Sequence, residues 1–224
     1  MNPQKPKQCH WCRVRSLQLG LYQRVQPQQP LHASVSMESR AVFQRMEHLC
    51  GLSMAQYGGH GLEVIQVFMT QDMAPEETAG IGGLRLVGLK LTGDPNVPAT
   101  KLSFVAALTE PDDPEGVLAD LRPIIAFPST GPAVVNLQDR EVAGLFLGKG
   151  QINRDPDVWA PEWVDVRLIT YSGQRKGFSI LWHDMGEFWR HIIDFAPLES
   201  PDAWAGAAWA VAEAKAARSA GRVG

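Results

Sequence analysis

The chain has 224 residues, 45% of them hydrophobic and 8% aromatic, with a formal net charge of −3. That length can bury one sizeable core, and with no run of about eighteen apolar residues nothing in it spans a membrane as a helix. The charge is uneven: residues 1–37 carry Lys5, Lys7, Arg13, Arg15 and Arg24 and no acid, leaving 16 basic against 24 acidic residues in the remainder, an acidic body ill suited to nucleic-acid phosphates.

The opening segment, 1–37, is rich in Gln and Pro and ends in Leu31-His32-Ala33-Ser34-Val35-Ser36. Its composition predicts an organelle transit peptide, with an ordinary disordered arm as the alternative. Cys9-His10-Trp11-Cys12 has C-x-x-C spacing, yet a structural zinc site needs four ligands and no second cysteine pair follows, so no metal is expected. Cys9, Cys12 and Cys50 are too few for a disulfide framework and suit a reducing compartment.

From Glu38 to Cys50 the apolar residues Val42, Met46 and Leu49 fall at helical spacing, with Ser39 as cap and Gly51 as stop. Beyond Gly51 the period changes to two. Runs at 52–56, 62–69, 84–91, 101–108, 142–147, 164–171, 177–183 and 188–195 are each bounded by Gly, Pro, Asp or Asn, which predicts a many-stranded antiparallel sheet. In Leu102, Phe104, Ala106, Leu108 and in Val164, Val166, Leu168 the alternation places one face on a core and the other in water. About eight strands at even spacing suit a closed β-barrel, since closure removes exposed edges. The expected fold is therefore mainly β, an antiparallel β-barrel of about eight strands with a short N-terminal helix. Glu110–Gly116, with Pro111 and Pro114, reads as an exposed loop, and Asn153–Pro161 as a long loop over one barrel mouth. The tail opens with Ser200 as N-cap and Pro201 at the first helical position, then turns alanine-rich, which predicts a C-terminal helix resting on the barrel through Trp204, Ala208 and Val211. The organisation is thus 1–37 arm, 38–199 barrel and 200–224 helix and tail.

One connection stands out. In Lys90-Leu91-Thr92-Gly93-Asp94-Pro95-Asn96-Val97-Pro98-Ala99 two prolines fix their own φ and bias the residues before them, so the loop has few conformations to lose. Gly93 can take a positive φ, and Thr92, Asp94 and Asn96 can bond nearby amides. This is either a well-made turn or a rigid polar rim where a partner docks. Acid–base chemistry would need His60, Glu63, Asp94, His183 and His191 brought together, and no spacing among them matches a triad, a carboxylate pair or a metal site. Glu63 lies in an apolar strand pattern; the solvent face is expected, because the inward alternative would bury a charge and require a partner such as Lys90. Gly144, Gly148 and Gly150 lack the ending of a phosphate loop and read as a bulge or barrel corner. No enzyme, cofactor or metal is expected.

Thr92-Gly93-Asp94-Pro95-Asn96-Val97-Pro98-Ala99, with Tyr57-Gly58-Gly59-His60-Gly61-Leu62-Glu63-Val64 upstream, resembles the cyclin-D-binding domain family. That family includes the C-terminal domain of the plastid EXECUTER proteins and of an F-box ubiquitin-ligase adaptor. Gly148-Lys149-Gly150-Gln151-Ile152, Pro161-Glu162-Trp163-Val164-Asp165 and Gly177-Phe178-Ser179-Ile180-Leu181-Trp182 follow in the same order, the last two being more similar to the EXECUTER branch. The resemblance implies a β-barrel and a non-enzymatic plastid protein acting in singlet-oxygen stress signalling through protein binding, with Trp163 as its oxidisable residue. The F-box branch implies instead a module that captures C-terminal peptide tails, in cytoplasm or nucleus. In either case a protein or peptide partner is expected at Tyr57, His60, Gly61, Glu63, Lys90, Thr92, Gly93, Asp94, Pro95 and Asn96, with peripheral thylakoid association open to the plastid form. A barrel holding a small apolar ligand is a third, weaker expectation.

Overall fold

The structure, a computed structural model, describes residues 37–57, 61–71, 73–94, 97–127, 131–153, 161–172, 177–183 and 190–198. The expected transit segment and C-terminal helix lie outside the described residues, as do His60, Pro95, Asn96 and most of the 153–161 loop. The chain divides into two compact units, Met1–Ala41 and Val42–Gly224, and only the last five residues of the first are described.

Helix α1 spans Met37–Met46 and passes into a 3-10 turn, Glu47–Leu49, with the Cys50 amide donating to the Glu47 carbonyl at 3.0 Å. Ser39 is not its cap, because the helix begins two residues earlier and takes Ser39 inside its first turn. Met46 and Leu49 are buried in the core, and Val42 and Phe43 pack against it. The strands follow in chain order: β1 (Gly51–Gln56), β2 (Leu62–Thr70), β3 (Arg85–Lys90), β4 (Leu102–Pro111), β5 (Ile124–Ala126), β6 (Ala133–Val135), β7 (Val142–Ile152), β8 (Glu162–Tyr171), β9 (Phe178–Trp182) and β10 (Arg190–Pro197). Eight of them, β1-β2-β3-β4-β7-β8-β9-β10, pair antiparallel in that sequence, and β10 returns to β1 through Ser53↔Pro197 and Ala55↔Phe195. The result is a closed barrel, as the alternating pattern predicts.

Its lumen is filled by side chains. Ile65, Leu86, Phe104, Ala106, Val166, Leu168 and Ile180 are each 0% exposed, with Phe146, Phe178 and Phe195 beside them. Among the described residues these close-packed side chains occupy the lumen, which speaks against the small apolar ligand. Gly144, Gly148 and Gly150 lie on β7; the register slips between Val142 and Gly144, the expected bulge, and Phe146, Val166 and Trp182 occupy the space the absent side chains leave.

The expectation that the outer face of the wall meets water fails for β7 to β10. Ile169 and Leu181, which point away from the lumen, are 0% exposed and join Leu145, Tyr171 and Ile192 in a second core. The insertion between β4 and β7 covers them, contributing Val117, Ile124 and Leu137. Its first part also corrects the reading of 110–116 as a loop. β4 runs to Pro111, and a short helix α2, Pro114–Ala119, follows with Asp113 accepting the Glu115 amide at 2.9 Å; Asp-Pro here is a helix start, with a capping carboxylate ahead of a proline in the first turn. β5 lies parallel to β10 at Arg190↔Ile124 and pairs antiparallel with β6. Two arginines fasten the insertion to the wall. Arg190, 3% exposed, donates to the carbonyls of Val117, Asp120 and Arg122. Arg140 makes a two-pronged bond to Asp194 at 2.7 and 3.1 Å and reaches the Tyr171 hydroxyl at 2.8 Å. A third, Arg85, gathers the β2–β3 connection through Thr78, Ile81, Gln71 and Met73.

Candidate functional site: a polar mouth on an apolar barrel

The antiparallel order brings one set of strand ends to the same mouth: the last residues of β1, β3, β7 and β9 and the first of β2, β4, β8 and β10. Tyr57, Gly61, Glu63, Lys90, Thr92, Gly93, Asp94 and Trp163 therefore share one end of the barrel. Along β2 the period of two that sends Ile65 and Val67 into the lumen also sends Glu63 there, and it is 3% exposed. Strand geometry overrides the preference of a carboxylate for water, so the expectation of a solvent-facing Glu63 is overturned. Lys90, opposite Ile65, is 1% exposed.

Buried charges need partners, and the 91–100 loop brings them. The Lys90 ammonium donates to Asp94 and sits 4.3 Å over the Tyr57 ring. The second Asp94 oxygen accepts the Val97 amide at 2.7 Å, and the Asp94 amide donates to the Val97 carbonyl at 3.1 Å. One carboxylate thus neutralises a buried cation and closes the turn. Thr92 donates to Glu63 at 2.5 Å while accepting the Val64 amide at 2.9 Å, which ties the loop to β2. Gly93 does not use a positive φ; it is required for another reason, since a Cβ there would lie 2.2 Å from the Ala99 amide nitrogen. The strain sits instead at Thr100, with φ 71°, whose amide donates to the Lys90 carbonyl at 2.8 Å; a non-glycine residue in that region costs about 1–3 kcal/mol.

Ser103 is a member of the cluster that the sequence does not announce. Gly88 pairs with Phe104 and Leu89 with Leu102, so Ser103 is the extra residue of a β-bulge. It is 1% exposed and meets the Tyr57 hydroxyl at 3.0 Å. Burial pushes the Tyr57 phenol well above its ordinary value, Glu63 and Asp94 add to the rise, and the Ser103 bond opposes it. Tyr57 therefore stays neutral, its ring edge on Phe195 at 5.9 Å.

Of the three histidines named as acid–base candidates, His60 lies outside the described residues and the other two take other parts. His191 stacks on Trp182 with 3° between the rings. His183 follows β9, its amide bonded to the Asp165 carbonyl at 3.2 Å. Burial first, then the charges of Arg167, Arg190 and Arg122, hold its imidazole down to about 4 from 6.5, with Asp120 pulling the other way. Between those two values the unfolded chain binds a proton that the folded chain refuses, so stability is fully present above the window and falls as pH drops through it. Replacing His183 by Gln should flatten that slope in urea titrations run from pH 7 to about 4. Trp163, second residue of β8 and paired with Gln151, is partly exposed and lies on the face of the strand opposite Val164 and Val166. Among the described residues no group of three or more His, Cys, Asp or Glu could hold a metal ion, and no helix is long and apolar enough to cross a membrane.

The family model described as the Cyclin D1 binding domain matches residues 22–192, well over half of the chain. The chain belongs to this family. A search of curated proteins gives no match. Within the Cyclin D1 binding domain the matched span takes in all seven wall strands from β1 to β9, the start of β10 and the loop that closes over Lys90. Membership makes this a protein-binding domain with a protein partner, and the family is one of interaction modules.

Proposed function

We propose that the partner docks on this barrel mouth. The observation that carries the reading is the buried Lys90–Asp94 pair, which commits two buried charges to fastening the loop after β3 at the barrel end. A rigid loop loses little entropy when something binds it. Leu62, at the start of β2 on the same rim, is 38% exposed, an apolar foothold beside polar groups. Lys90 does not meet a chain terminus directly, since its ammonium is already engaged by Asp94; the rim and the loop backbone do so. The test is capture of immobilised C-terminal peptides and, in a parallel arm, of a purified D-type cyclin. The Leu62→Lys chain, with an unchanged circular dichroism spectrum, is expected to bind at least about tenfold more weakly, while Val134→Lys, 75% exposed on the insertion, binds as before. Equal capture by both variants removes the mouth as the docking surface.

A second reading joins this mouth to plastid stress signalling of the EXECUTER type. It is supported by Trp163 standing partly exposed on a strand that ends at the same mouth, where singlet oxygen can reach the indole and its oxidation product would alter the docking rim. In this reading residues 1–37 direct the chain to the chloroplast and are removed. Exposure to a photosensitiser and light should change partner capture by the natural chain and leave that of Trp163→Phe unaltered. An identical response from the two chains ends the sensing role, and peptide-tail recognition of the F-box type is then the remaining use of the mouth.

A further inference from the structure

We propose that Trp182 is the hydrogen-bond donor with which the mouth takes a main-chain carbonyl oxygen of its bound partner. The inference rests on the docking of a protein partner at this end of the barrel. Trp182 is the last residue of β9, turned into the lumen and 3% exposed. Its Nε1–H is buried and has no acceptor among the described residues. A native structure keeps such a donor unpaired only where something else compensates, and a ligand that supplies the acceptor is one such compensation.

The ring is fixed before any ligand arrives. One face stacks on His191, centroids 5.6 Å apart. Its benzo edge fills the place a side chain on Gly150 would take, the ideal Cβ position there being 2.2 Å from Cζ3. Packing from both sides sets the direction of the N–H, so ordering it on binding costs nothing further. The sequence holds a glycine on β7 opposite a tryptophan on β9, and the two together make the seat.

Burial selects the acceptor. The indole nitrogen lies in a region stripped of water, where a carboxylate would have to give up its hydration to enter, whereas a neutral carbonyl offers lone pairs at a smaller cost.

The test is an indole ¹⁵N–¹H titration of the full chain with N-methylacetamide as the carbonyl probe and, separately, with sodium acetate. Trp182→Phe identifies the signal. Benzothienylalanine at position 182 keeps the shape and removes the N–H, which separates hydrogen bonding from packing. The Trp182 signal is expected to move downfield and saturate with N-methylacetamide and to stay in place with acetate, and the benzothienylalanine chain is expected to hold captured peptide about five- to twentyfold more weakly. A signal that N-methylacetamide does not move, or that acetate moves equally, overturns the proposal, as does undiminished peptide capture by the benzothienylalanine chain. That last result would leave the mouth itself standing, because the loss of capture in Leu62→Lys tests the mouth independently.

Discussion

Lys90→Met should cost the barrel about 3–5 kcal/mol, measured by urea unfolding, because it leaves the Asp94 carboxylate buried without its cation. The loss will exceed what surface ion pairs show, since Lys90 and Asp94 side chains are 1% and 4% exposed. Asp94→Ala should be comparably damaging through the opposite vacancy, a buried ammonium over the Tyr57 ring, with the added loss of the Val97 amide's acceptor. The double variant Lys90→Met, Asp94→Leu should recover most of the stability, because two apolar groups need no partners. It should not recover docking, since the turn then loses the carboxylate that accepts the Val97 amide and holds it to Lys90. Stability restored without capture is the signature of a pair retained for the loop rather than for the core; additive losses across the three chains would contradict it.

Phe104→Ala is expected to be the most damaging change within the lumen, about 3–5 kcal/mol, lowering the melting midpoint on the order of 10 °C. Phe104 is 0% exposed and lies 5.7 Å from both Phe178 and Phe195, which stack on each other at 4.8 Å. β3 makes room for it with Gly88, where a Cβ would lie 2.3 Å from the ring. No neighbour can move into the space without leaving its own strand face, so the cavity persists. Differential scanning calorimetry checks the size, and a loss below about 1.5 kcal/mol would mean that the lumen repacks. Because Phe195 also carries the edge of Tyr57, the same variant should weaken the rim.

These two sites differ in how far the sequence announces them. The wall strands are legible because alternation and punctuation agree: Phe104, Ala106 and Leu108 point inward, and each run stops at a Gly, Pro, Asp or Asn. The second core is not, because the short strands β5 and β6 offer too few residues for any period. Its trace is in the wall instead, where Leu168-Ile169-Thr170-Tyr171 is buried on both faces, the mark of a strand covered from two sides. At the mouth, the turn residues Thr92, Gly93 and Asp94 were readable as polar and stiff. Their partners were not. Whether Glu63 faces in or out depends on a phase that Ile65 and Val67 set, and Ser103 joins only because a bulge against Gly88 and Leu89 turns it inward. Composition carries no record of a register slip. Trp182 reads as one more apolar residue until the stack on His191 and the gap at Gly150 give its nitrogen a direction.

The pairing of β1 with β10 has a temporal consequence. Residues 53–55 pair with β2 on one edge but find the partners of their other edge only at 195–197, so during synthesis the cylinder stays an open, curling sheet until almost the whole domain has left the ribosome. Closing a ring across so long a separation is the entropically expensive contact, and it falls last. A chain cut short before Arg190 therefore forms hairpins yet never a finished rim, and recognition switches on with the arrival of the final strand.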